Sequence, residues 1–258
     1  MIITGNTILI TGGGSGIGRG LAHAFHDAGN VVIVAGRRAS PLEETIAGRD
    51  GMSFKLLDVG DADAITTLAA EVVTEHPGLN VVVNNAGIMK AENLLAEPFD
   101  PETPEATIAT NLLGPIRLTA ALLPHLRQQK ASTVINVTSG LAFVPLAMTP
   151  TYNATKAAIH SYTQSLRYQL KSTKVQVIEL IPPYVQTELM GSQQASDPRA
   201  MPLADYLSET INILKTQPEA TEVLVERVKP LRFSEQNGPE KYTAFFTQFN
   251  DAMAVDPH

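Results

Sequence analysis

Tyr152 and Lys156 stand four residues apart in the run Tyr152-Asn153-Ala154-Thr155-Lys156. Helical spacing puts such a pair on one face, one turn apart. A lysine ammonium beside a phenol favours the phenolate. Free tyrosine ionises near pH ~10, so bringing it to neutrality takes ~3 units, or about 4 kcal/mol. A unit charge ~4 Å away in an effective dielectric of ~20 supplies roughly that much. The pair therefore predicts a tyrosine that its lysine depresses and that exchanges protons at working pH. The same spacing also suits an ordinary surface helix, so its meaning depends on the elements around it.

Those elements alternate. Short β-branched apolar runs at 7–11, 31–35, 52–58, 79–84, 132–138 and 175–181 read as strands. Longer periodic stretches at 16–28, 61–75, 105–129 and 152–170 read as helices. The strand runs are continuous rather than alternating, as expected for strands buried on both faces of a parallel sheet. Their repetition predicts an α/β fold: a single-domain, Rossmann-type, doubly wound sheet over residues 1–258, with helices on both faces. After Pro182 the chain turns rich in Pro and Gln and reads as helical. A substrate lid is expected within 187–216, and an aromatic helix over 242–253. No final strand is evident, which leaves a seventh strand in doubt.

Composition narrows the function classes. The 258 residues are 44% hydrophobic and carry a formal charge of −7. That balance lacks the basic surface a nucleic-acid partner requires. The chain has no cysteine, which removes disulfides, thiolate metal sites and cysteine nucleophiles and fits a reducing, cytoplasmic setting. Met1-Ile2-Ile3-Thr4-Gly5 shows no basic segment ahead of an apolar stretch, so no signal peptide is expected. No uninterrupted apolar run reaches the ~18 residues of a spanning helix, so no membrane partner is expected. The six histidines show no ligand spacing such as His-Glu-x-x-His, and no metal is expected.

The first strand runs into Thr11-Gly12-Gly13-Gly14-Ser15-Gly16-Ile17-Gly18, and a helix follows. Glycines let the backbone turn tightly and approach a pyrophosphate, while the helix start offers free N–H groups. The spacing Gly-x-x-x-Gly-x-Gly at Gly12, Gly16 and Gly18 differs from the usual Gly-x-Gly-x-x-Gly. Its place between first strand and first helix still predicts a dinucleotide site. A carboxylate at the end of the second strand would bond both ribose hydroxyls of NAD. Here that end reads Val34-Ala35-Gly36-Arg37-Arg38, with two guanidiniums and no acid. Arginine pairs with phosphate, which predicts NADP through its 2′-phosphate.

With these pieces placed, the chain resembles a short-chain dehydrogenase/reductase from about Thr7 to Thr187. The marks are the Thr11–Gly18 turn, Asn84-Asn85-Ala86-Gly87, Asn111, Ser139 and the Tyr152/Lys156 pair, in that family's order. The runs 181–187 and 228–233 further resemble a bacterial subgroup of DltE-like oxidoreductases. The resemblance implies Tyr152 as proton donor in reduction and Lys156 as anchor for the nicotinamide ribose. It implies Ser139 as donor to the substrate oxygen, and Asn111 as holder of a relay water behind Lys156. It assigns Gly12, Gly14, Ser15, Gly16, Ile17 and Gly18 to the phosphates, and Asn85, Ala86 and Gly87 to the cofactor wall. Asp58 and Val59 would meet the adenine, and Pro182, Val185 and Thr187 the nicotinamide side. The family usually has Pro-Gly where this chain has Pro182-Pro183. The resemblance also implies a homodimer or homotetramer, paired through the helices over 105–129 and 152–170.

The stretch from Ser139 to Thr151 carries no charge and should wall the substrate pocket. Leu141, Phe143, Leu146, Tyr184 and Met190 are its expected lining. Such a wall suits a small, mainly apolar carbonyl or secondary alcohol. The expected activity is therefore an NADP-dependent carbonyl reductase or alcohol dehydrogenase. The alternatives are a catalytically quiet NADP-binding sensor or scaffold, and an epimerase or dehydratase using transient oxidation.

Overall fold

Alternate residues of the first strand, β1 (Thr7–Thr11), point to opposite faces of one sheet. Ile8 and Ile10 enter one core with Leu21 and Phe25 of α1 (Gly16–Asp27), while Leu9 enters a second core on the other face. The computed structural model describes residues 1–98 and 100–253. Both faces are covered, which is why the strands are mainly apolar rather than alternating apolar and polar.

The strands β2 (Val31–Gly36), β3 (Met52–Leu56), β4 (Leu79–Asn84), β5 (Ser132–Val137) and β6 (Val175–Leu180) all pair in parallel with their neighbours. The order is β3-β2-β1-β4-β5-β6-β7. The seventh strand, which the sequence left in doubt, is present as β7 (Glu222–Val223), parallel to β6. Two residues are too short for any apolar period to reveal. Between β2 and β3 lies α2 (Ala39–Ile46), which the sequence did not show, and α3 (Ala62–Glu75) leads from β3 back to β4. Asp61 caps α3, its Oδ1 accepting from the amides of Asp63 and Ala64 at 2.8 and 3.1 Å.

The single helix expected over 105–129 is a composite: α4 (Glu102–Ile108), a π-helical segment (Ala109–Leu113) and α5 (Gly114–Leu126). By length and composition these 25 residues pass for a membrane span. Their Leu118, Leu122 and Leu126 instead pack fully buried on the sheet with Val72 of α3 and Val82 of β4, as a core helix does. The longest helix, α6 (Pro150–Gln169), crosses back to β6. A short α7 (Ser192–Ser196), α8 (Leu203–Thr216), α9 (Lys229–Arg232) and α10 (Pro239–Met253) complete the chain.

Candidate active site

The sheet grows from β1 toward β3 in one direction and from β4 toward β7 in the other. The loops after β1 and β4 therefore part, and a crevice opens at the carboxyl ends of these strands. A cavity of about 620 Å³ lies there, with the glycine turn at one end and Tyr152 toward the other.

The two loops are tied together by hydrogen bonds. Asn85 Nδ2 donates to the carbonyls of Thr11 and Gly12 at 2.9 and 3.3 Å. Thr11 Oγ1 accepts from the amides of Asn85 and Ala86, each at 3.1 Å. Gly12 sits at φ +67°, and a Cβ there would lie 2.9 Å from the Cα of Ala86. A Cβ on Gly18 would lie 2.2 Å from the Gly12 carbonyl oxygen. Ser15 precedes α1 in extended conformation, and its side chain makes no capping bond. The first-turn N–H groups of α1 are thus left for an anion in the cleft. Arg37 and Arg38 are exposed and line the same cavity, and no ion pair engages either among the described residues. The tight glycine cradle and two free guanidiniums fit a phosphate-rich dinucleotide.

At the other end, α6 carries Tyr152 in its first turn. Glu92, from the loop after β4, accepts from the amide and hydroxyl of Thr151 at 3.0 and 2.7 Å and fixes that turn. Lys156 Nζ lies 5.6 Å from the Tyr152 ring centre and donates to the Val137 carbonyl at 2.8 Å. Ser139 follows β5 in extended conformation. Its Oγ accepts from the Leu141 amide at 3.1 Å, and its side chain hydrogen-bonds the Tyr152 phenol.

Proton affinities in this site run against the sequence expectation. Burial pushes the Tyr152 phenol up to about 12, although the Ser139 hydrogen bond pulls it down. Burial also brings Lys156 down to about 8. The sequence reasoning counted the lysine charge and left out the desolvation of both groups. In the protein without ligand, Tyr152 is held as a protonated acid.

A stability prediction follows from Lys156. Its folded value of about 8 lies below the unfolded 10.5, so the unfolded chain binds more protons between them. Lys156 thus makes the fold more stable as pH rises from 8 toward 10, by about 2 kcal/mol. Chemical denaturation of wild type and Lys156→Met across that range should show the variant's advantage shrinking by this amount. Parallel curves would rule out the depressed lysine.

Asn111 lies in the π-helical segment and is 1% exposed. Its Oδ1 accepts from the Ile88 amide at 2.9 Å, and its Nδ2 donates to the Ile88 carbonyl at 2.8 Å. The second Nδ2 hydrogen faces Thr155 Oγ1 at 3.4 Å. The side chain is thus engaged with the loop that follows β4 and positions Gly87 and Ile88 beside Lys156.

Most of the sequence-derived residues meet in the cavity: Ser15, Gly16, Ile17, Ala86, Gly87, Pro182, Val185 and Thr187 at the cofactor end, and Leu141, Leu146, Tyr184 and Met190 near Tyr152. Five do not line it. Gly14 faces Pro41, and its carbonyl accepts from Arg19 Nη2 at 2.6 Å. Asp58 Oδ1 accepts from the Gly60 amide at 2.9 Å, closing a turn, and Val59 packs against Gly114. Phe143 turns out of the substrate wall because the 3₁₀ turn Gly140–Ala142 reverses the chain. Its ring meets the edge of His160 at 4.8 Å and the Arg232 guanidinium at 4.7 Å. The fifth is Asn111. Within the range expected to contain a lid, Tyr206 and Leu214 of α8 are buried at 1% exposure and hold that helix to the domain.

Sequence reasoning missed Gln194. Its Nε2 donates to the Val185 carbonyl at 2.8 Å and Thr187 Oγ1 at 3.0 Å, while Oε1 accepts from the Met190 amide at 3.0 Å. One buried side chain thus shapes the whole loop beyond β6, and no motif announces it. Asp197 was also missed. Arg199 holds the Asp197 carboxyl down at about 2 and pairs with it at 2.8 Å, so the two charges offset each other at the cavity rim.

The fold also gathers His160, Glu179 and Glu222, whose ligand atoms lie within 4.8 Å of one another, although no sequence spacing suggested a metal. Each has a protein partner. His160 Nδ1 and Thr138 Oγ1 meet Glu179 at 2.9 and 2.7 Å, and Arg232 binds both Glu222 oxygens at 2.9 Å. The cluster reads as a partly buried hydrogen-bond network that fastens α6 and α9 to β6 and β7.

Residues 6–198 match the family model described as short chain dehydrogenase. The chain belongs to the short-chain dehydrogenase family. An uncharacterized oxidoreductase, DltE, of Bacillus subtilis (strain 168) is 38% identical over 253 residues, covering 97% of this chain and 98% of that protein. A short chain dehydrogenase from Burkholderia cenocepacia J2315, solved in complex with NADP, superposes with a TM-score of 0.81 at 23% identity, covering 95% of this chain and 99% of that one. A 3-ketoacyl-(acyl-carrier-protein) reductase from Brucella melitensis, solved with NADH, gives 0.77 at 26% identity, covering 88% and 99%. This short-chain dehydrogenase is therefore a Rossmann-fold oxidoreductase of the nicotinamide-dependent kind. The family match stops before α8, β7 and α10.

Proposed function

We propose that the chain is an NADP-dependent carbonyl reductase or alcohol dehydrogenase acting on small, mainly apolar carbonyls and secondary alcohols. The observation that carries this reading is the Tyr152 phenol, hydrogen-bonded to Ser139, at the junction of a dinucleotide-shaped cleft and an apolar chamber.

A bound nicotinamide would supply or accept the hydride. The glycine turn and the α1 start would hold its pyrophosphate, and Arg37 with Arg38 its 2′-phosphate. Lys156, Asn85 and Thr187 line the way from there to the phenol. In reduction, Tyr152 gives its proton from Oη to the carbonyl oxygen. The Ser139 hydroxyl, which hydrogen-bonds the phenol, would turn its hydrogen to that same oxygen, while its own oxygen stays fixed by the Leu141 amide. A preplaced donor at the site of developing charge stabilises the transition state more than the ground state. The nearby Lys156 charge then offsets the tyrosinate. Asn111 and Gln194 act at one remove, holding the loops on either side.

A panel of aliphatic ketones and aldehydes with NADPH tests the reading. Loss of NADPH absorbance should match alcohol formation mole for mole. Absence of net NADPH oxidation with every carbonyl, and of NADP reduction with every secondary alcohol, would favour a quiet binder or an internally balanced reaction instead.

A further inference from the structure

The C-terminal helix has no place in the chemistry so far. Its half-buried residues Tyr242, Phe245, Phe246, Phe249, Asn250 and Met253 follow helical spacing and form one stripe toward the domain. Phe249 and Met253 at the end of that stripe line the cavity. They pack into the same apolar cluster as the Tyr152 ring, together with Met89 and Leu146.

Directional bonds hold the helix in that position. Asn250 Oδ1 accepts from the Ala147 amide at 2.6 Å, and its Nδ2 donates to the Pro145 carbonyl at 3.1 Å. Tyr242 Oη donates to the Phe143 carbonyl at 3.2 Å. From the opposite wall, Arg199 Nη1 donates to the Ala252 carbonyl at 3.1 Å. The helix thus spans the chamber from the 143–147 loop to the loop carrying Arg199.

The chamber beneath it has a distinctive composition. Of the chain's seven methionines, Met89, Met148, Met190 and Met253 converge here. Unbranched thioether side chains adapt to irregular and flexible apolar shapes. Neither cationic side chain at the rim makes an anion-binding pocket: Arg199 is committed to Asp197 and Ala252, and Lys90 is exposed.

We propose that α10 is a specificity-determining roof over the substrate chamber, and that Phe249 and Met253 set the length of flexible, uncharged aliphatic chain that a carbonyl substrate carries beside Tyr152. The inference rests on the proposed reductase activity for its substrate and on α10 itself for its geometry. A chain that is too long meets the Phe249 ring, and removing that ring opens the far end. Asn250 keeps the roof at a fixed height.

The test uses full-length wild type, Phe249→Ala, Met253→Ala and Asn250→Ala with two ligand series. Methyl ketones of increasing chain length report turnover with NADPH. Unbranched alkyl amides of matching length, which NADPH does not reduce, report binding to the NADP-loaded protein by calorimetry. In Phe249→Ala the ratio of long-chain to short-chain kcat/KM should rise by about tenfold or more, the range that one or two methylenes command in an apolar pocket. The amide affinities should shift toward longer chains in parallel. Met253→Ala should act in the same direction, and Asn250→Ala should flatten the length dependence. Melting temperatures and NADPH binding check that each variant folds. An unchanged length dependence in correctly folded variants, or amides that fail to bind wild type, would overturn the roof. Amide binding that shifts as expected with no ketone turnover in any protein would leave the roof standing and sink the reductase reading.

Discussion

Tyr152→Phe should lower turnover of any reducible carbonyl by about 10²–10⁴-fold, the usual contribution of a positioned proton donor. NADPH binding should stay close to wild type. The substitution keeps the aromatic ring that packs with Met89 and Leu146 and removes only the hydroxyl. Ser139 retains its bond from the Leu141 amide, so the local backbone has no reason to move. Single-turnover NADPH oxidation and NADPH titration by fluorescence would separate the two effects. Turnover undiminished in this variant would eliminate Tyr152 as the donor. The burial that pushes the phenol up to about 12 sharpens the expectation, because a group so reluctant to ionise starts fully protonated for the reductive direction.

Arg37→Ala and Arg38→Ala form the second large expectation. The solved relatives include complexes with NADP and with NADH, so family membership leaves the cofactor choice to individual side chains. In this chain the two exposed guanidiniums stand at the end of β2, where a carboxylate would select NAD. A charge-assisted hydrogen bond contributes about 1.5–3 kcal/mol, so each removal should cost about tenfold or more in kcat/KM for NADPH. The same quantity for NADH should hardly change, and the double variant should narrow or reverse the preference. Steady-state kinetics with both cofactors reads this directly. A preference that neither substitution narrows would place 2′-phosphate recognition elsewhere.

The parts of this molecule that were legible in the chain are those carried by local pattern. The mainly apolar strand runs marked six parallel strands because burial on both faces leaves few polar residues within them, and those few, such as Asn136 and Glu179, are hydrogen-bonded. The Gly12–Gly18 turn was legible because few structures other than a close backbone approach demand so many glycines. The Tyr152, Lys156 and Ser139 set was legible only through the family's order of marks. What stayed hidden depends on tertiary contact. Phe143 looks like its neighbour Leu141, and one 3₁₀ turn sends them to different environments. Gln194 is a single amide whose importance lies in three distant bonds. The aromatic stripe of α10 was visible, but nothing local says that it faces the chamber. The protonation of Tyr152 was misjudged because burial, which decides it, is a property of the assembled fold.

Gly18 illustrates a different constraint. The only atom that separates glycine from every other residue type is the Cβ, and at this position it would sit 2.2 Å from a backbone oxygen. Every missense change in its codon adds that atom, whatever else it adds. The position therefore has no conservative neighbour in the genetic code, and no gradual path leads away from it. Any change of the cofactor turn by small steps would first have to move the Gly12 carbonyl, which is itself held by the side chain of Asn85 from another strand's loop. Drift in this turn is thereby tied to two segments of the chain at once.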